Sequence, residues 1–76
     1  MITIRIELRD VYGRLVAYPR NAEAEAVARI ANTKTLTRSV LTNVLALGCG
    51  IEVIDRFGNV SRSYDPGRVE ALPAIA

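Results

Sequence analysis

The chain has no histidine and one cysteine. Without histidine no Ser-His-Asp or Cys-His relay can be built, and most metal-ligand sets are gone. A single thiol forms no intrachain disulfide. No apolar run approaches the length of a membrane span. The stretch Met1-Ile2-Thr3-Ile4-Arg5-Ile6-Glu7 alternates polar and apolar residues, which is not the uninterrupted apolar core of a signal peptide. The expected location is therefore cytoplasmic, with Cys49 reduced. What remains is globular in composition: 76 residues, 50% hydrophobic and 24% charged. That length fits one domain. Such a chain buries only about 60% of the surface its unfolded form exposes, so a homodimer is expected to supplement its small core.

The basic excess is small, with a formal net charge of +2. Its distribution is more informative. Between Ala26 and Ile51 there is no Asp or Glu, while Arg29, Lys34 and Arg38 are all present. A pI near 9.1 is compatible with nucleic acid as a partner.

Two segments share the pattern Ile-Glu-aliphatic-x-Asp-x-aromatic-Gly-x-aliphatic. They are Ile6 to Leu15 and Ile51 to Val60. Asp-x-x-Gly between alternating runs predicts a hairpin turn: the aspartate accepts backbone N–H bonds and the glycine takes the left-handed conformation. Strands are expected at about 2–9, 14–18, 50–55 and 59–64. In the first hairpin Ile2, Ile4, Ile6 and Leu8 point one way. If Asp10 pairs with Arg14, Val16 and Tyr18 join that apolar face. In the second, Ile51 and Val53 share one face and Ile54 and Val60 the other, so either could be core. Glu52 and Arg62 are expected opposite each other as a cross-strand ion pair.

Two short helices separate the hairpins. Asn21 is a good N-cap for Ala22–Ala31, with Ala24, Val27, Ala28 and Ala31 as its apolar stripe and Ile30 at the edge. Thr37 caps the second helix, Leu36 and Leu41 hold hydrophobic-staple positions, and Gly48 stands at C′. Val40, Leu41, Val44, Leu45 and Leu47 make its apolar face. The fold class expected is α+β: hairpin, two helices, hairpin, with an antiparallel four-stranded sheet and both helices on one face. Residues 1–66 form a single ββααββ domain. Residues 67–76 are an irregular tail whose Val69, Leu72 and Ile75 cap the core.

No catalytic, cofactor or metal site is expected. Cys49 lacks a base and reads as a small buried hydrophobe. Asp10 and Asp55 each have a turn to close, and Glu7 and Glu52 read as members of a solvated face. Gly48-Cys49-Gly50 follows a helix, where the carbonyl end repels anions, so it is not a phosphate loop. Tyr12 and Phe57 occupy equivalent loop tips, where aromatic rings anchor partners or fold back on their own hairpin. The candidate protein-binding residues are Tyr12, Phe57, Ile54, Val60 and Arg62. The helix pair also approximates helix-turn-helix spacing, followed by a hairpin as in a winged helix. It would present Lys34, Arg38, Thr42 and Asn43 to nucleic acid. Against that, Thr35 stands where the turn usually has glycine, and the reading helix carries one basic side chain.

The segments Val11-Tyr12-Gly13, Tyr18-Pro19, Ile30-Ala31-Asn32-Thr33-Lys34-Thr35-Leu36-Thr37 and Leu47-Gly48 resemble small accessory proteins of proteobacterial phages and integrative elements. The resemblance implies an accessory protein of mobile DNA, and no functional residue is carried over from it. The leading expectation is a non-enzymatic module acting by protein–protein contact with a host or phage protein. Inhibitors of host defence complexes, of the anti-CRISPR kind, are among such proteins. The alternative is a small DNA-binding transcriptional regulator. No small-molecule substrate and no membrane is expected as a partner.

Overall fold

A computed structural model describes residues 2–68 together with Leu72 and Ile75. In chain order it has β1 (Thr3–Val11), β2 (Arg14–Pro19), α1 (Ala22–Ile30), α2 (Arg38–Ala46), β3 (Gly50–Ile54) and β4 (Val60–Tyr64). The four strands form one sheet in the order β2-β1-β3-β4. Both hairpins are antiparallel, but β1 and β3 pair in parallel, from Thr3 opposite Gly50 to Glu7 opposite Ile54. The sheet is therefore mixed, which corrects the antiparallel expectation. Two backbone bonds give the reason. Arg20 N–H donates to the Arg5 carbonyl (2.9 Å), so β2 ends beside the start of β1. Gly50 N–H donates to the Ile2 carbonyl (3.0 Å), so β3 begins at that same end. The helical pair returns the chain to the end it left, and a strand starting there must run alongside β1 in its direction.

Registers differ from expectation in both hairpins. Val11 pairs with Arg14 and Asp10 with Leu15. The loop is only Tyr12-Gly13, with φ of 52° and 79°, as in a type I′ turn. A one-residue shift moves every side chain to the other face. Leu15 and Ala17 thus lie with Ile6 and Leu8 on the core face, and Val16 and Tyr18 move to the opposite one. In the second hairpin Asp55 does open the turn. Its Oδ1 accepts from Phe57 N–H (2.8 Å) and Asn59 N–H (2.9 Å), and Gly58 has φ 85°. The internal repeat therefore holds in the first strand of each hairpin and diverges from the turn onward.

A bulge near Val53 and Ile54 leaves Ser61 without an opposite residue, so Val53 faces Arg62 and Ile54 faces Val60. Glu52 consequently lies opposite Ser63, not Arg62. Its ion partner is Arg5 on β1, at 3.0 Å. The core side of β3 is Ile51 and Val53, joined by Tyr64.

One apolar cluster joins Ile4, Ile6, Ala17, Ile51 and Val53 of the sheet to Ala24, Ala28, Leu36, Leu41 and Leu45 from the helical side. Both helices therefore cover the same face, α1 against β1 and β2 and α2 against β3. Their ends follow the sequence signals. Asn21 Oδ1 accepts from Ala24 N–H (2.9 Å), and Thr37 Oγ1 accepts from Val40 N–H (3.3 Å). Each helix closes with paired C-terminal bonds around a C′ residue, Asn32 in α1 and Gly48 in α2. The connection between them is pinned where Leu36 N–H donates to the Ala17 carbonyl (2.9 Å). Leu72 and Ile75 belong to the core cluster; Val69 lies outside the described residues. Among these residues no helix is long and apolar enough to cross a membrane.

Candidate interaction surfaces

The sheet's second face carries no other element among the described residues. Alternation along β1 places Arg5, Glu7 and Arg9 there, and the registers add Val16, Tyr18, Glu52, Ile54 and Val60. Glu7 was expected on a solvated face but is only 6% exposed. Its Oε2 accepts from Arg9 Nε at 2.7 Å. Arg20 Nε lies 3.4 Å from Oε1, close enough for an ion pair. The geometry there does not make a hydrogen bond, and Oε1 has no hydrogen-bond partner among the described residues. The Arg9 hydrogen bond holds the Glu7 carboxyl below its ordinary pKa. Burial opposes that shift, and the charges of Arg9 and Arg20 reinforce it.

Glu7 borders an open depression of about 590 Å³ at the turn end of the sheet, together with Arg9, Ile54, Asp55, Arg56 and Phe57. The Arg56 guanidinium lies 5.6 Å from the Phe57 ring centre, and Arg9 lies 5.4 Å from that of Tyr18. Because β1 and β3 run in the same direction, both hairpin turns emerge at this end. Tyr12 is fully exposed at one tip, and Phe57 is 79% exposed at the other.

The candidate protein-binding residues do not form one patch. Phe57 and Ile54 border the depression, but Ile54 is buried. Val60 is half-exposed beside Ile54. Arg62, opposite Val53, is assigned by register to the other side of the sheet. The nucleic-acid candidates are also dispersed. Lys34 is exposed in the connection before α2, Arg38 is exposed at the start of α2, Thr42 is half-buried, and Asn43 lines an apolar groove. Cys49 is half-buried and packs against the core.

That groove runs between the helices on the opposite side of the molecule, with a volume of about 240 Å³. Val27, Ala31, Val40 and Val44 line it, with Ile30 and Leu47. The last two are 86% and 82% exposed. Sequence reasoning placed Ile30 at the edge of one stripe and Leu47 within another. The signal available was that each helix has one more large apolar residue than its core face needs. No protein-family model matches the chain, nor does any curated protein or solved structure.

Proposed function

We propose that the chain is a non-enzymatic binding module that works by protein–protein contact through its helical layer. The observation that carries this reading is the placement of Ile30 and Leu47, both more than 80% exposed, on a groove with an otherwise apolar lining save Asn43. Burying an aliphatic side chain of that size is worth roughly 1.5–3 kcal/mol. Exposed apolar patches that form a groove mark interaction sites, and a groove between helices suits the apolar ridge of a partner helix. The resemblance to accessory proteins of mobile elements makes a host protein the partner to seek first, a component of a defence complex included. DNA reading by α2 is less well supported. The connection from α1 runs over residues 31–37, against three or four residues in a helix-turn-helix, and Asn43 faces the apolar groove.

The test is a photo-crosslinking side chain at position 30 or 47, used in a proteobacterial host lysate. Stoichiometric capture of one protein, competed by unlabelled wild-type chain and lost in the I30D/L47D variant, supports the reading. Equal capture from a probe at Arg14, exposed on the uncovered sheet face, overturns it. Capture of only a second copy of the chain replaces a host partner with a homodimer.

A further inference from the structure

Charge is distributed unevenly over the molecule. Arg5, Arg9 and Arg14 lie on the uncovered sheet face by register, Arg20 reaches it through Glu7, and Arg56 borders its depression. The acids there are Glu7, Glu52 and Asp55. Five cations against three anions leave +2, the net charge of the whole chain, so the other five bases and five acids cancel. The same face presents flat rings. Tyr18 and Phe57 each lie beneath a guanidinium, and Tyr12 stands at the neighbouring tip. Glu7, at the edge of the depression, is buried and already paired to Arg9 and Arg20, so the guanidinium groups of the face that have no ion partner among the described residues are free for a ligand.

These two features call for anionic groups and planar faces in one ligand. An acidic polypeptide without aromatic side chains supplies only the first. Duplex nucleic acid hides its base faces. We infer that the uncovered sheet face binds single-stranded nucleic acid. Unpaired bases stack on aromatic side chains and expose their amino groups, while guanidinium groups meet the phosphates. Arg14 and Arg56, which have no ion partner among the described residues, contact the backbone. One base stacks on Phe57.

Fluorescence anisotropy with short labelled oligonucleotides tests this. Single strands should bind at about 50 mM salt, more tightly than a duplex of the same length, with affinity falling as salt rises. Phe57→Ala should weaken binding about 5- to 100-fold, the loss of one stacked base. R14A/R56A should flatten the slope of log affinity against log salt by about 1.4, or about 0.7 per lost phosphate contact. Phe57, Arg14 and Arg56 are exposed, so these substitutions report on binding and not on folding. Ile30→Asp should leave oligonucleotide binding unchanged, so failure here and failure of the helical-groove reading are separate results. Absence of single-strand binding overturns the inference, as do equal duplex binding, an affinity unmoved by Phe57→Ala, and equal competition by poly-glutamate.

Discussion

Tyr12 is held in the left-handed region at φ 52° while its side chain is fully exposed. A non-glycine residue there costs about 1–2 kcal/mol, and no burial of the ring offsets it. Asparagine and glycine suit this turn position far better. Tyr12→Asn should therefore stabilise the chain by about 1 kcal/mol, raising Tm by roughly 4–8 °C in a thermal melt. An unchanged or lower Tm would mean that the ring makes contacts in the folded chain that repay the strain. Glu7 allows a second prediction at this scale. The Arg9 hydrogen bond lowers its pKa from 4.5 in the folded chain. In the window below 4.5 the unfolded chain then binds more protons than the folded one, so stability falls as pH falls. The contribution is fully present above 4.5 and is lost as pH drops through the lower folded value. Urea midpoints measured down the acid range should decline less steeply in Glu7→Gln than in the wild type.

At the scale of elements, caps and turns do more than end helices and strands. Asn21 Oδ1 accepts from Ala24 N–H in α1 and, at 3.2 Å, from Arg5 N–H in β1; its Nδ2 donates to the Thr3 carbonyl, also at 3.2 Å. Thr37 makes one capping bond. Asn21→Ala should cost about 2 kcal/mol or more and Thr37→Ala about 1 kcal/mol, read from denaturant midpoints. Both caps were legible in the sequence because a cap acts within one turn of its helix. Strand existence was legible for a similar reason, since alternation is local. Register in the first hairpin was not. Asp10-Val11-Tyr12-Gly13 reads as a four-residue turn, but β-branched Val11 stays in the ladder and the left-handed pair shrinks to Tyr12-Gly13. The direction of β3 was not legible either, because it depends on which end of β1 the helical pair delivers the chain to. No local pattern encodes that.

For the molecule as a whole, the surfaces became visible only through packing. Glu7 shares its face of β1 with Arg5 and Arg9, which reads as solvated in sequence, and its burial comes from flanking side chains on neighbouring strands, Tyr18 and Ile54 opposite it. The helical groove likewise needs two helices seated over different strands. The tail belongs to this scale too. Leu72 and Ile75 are core residues, so a chain ending at Gly67 should lose roughly 3–6 kcal/mol of apolar burial. For a chain this short that is most of its stability, and the truncated chain should lose its cooperative unfolding transition in circular dichroism. The two proposed surfaces lie on opposite sides of the sheet and its covering helices, and substitutions separated by more than about 7–10 Å with no shared partners act additively. I30D/L47D should abolish protein capture and preserve oligonucleotide affinity, and R56A/F57A should weaken oligonucleotide affinity and preserve protein capture. Each pair should change stability by no more than about 1 kcal/mol, because all four side chains are exposed. Combining the four should reproduce the sum of the two pairs within about 0.5 kcal/mol in both stability and oligonucleotide binding. A larger departure would show that the faces communicate through the one core they share, with Ile4, Ile6 and Ile51 as the side chains joining sheet to helices.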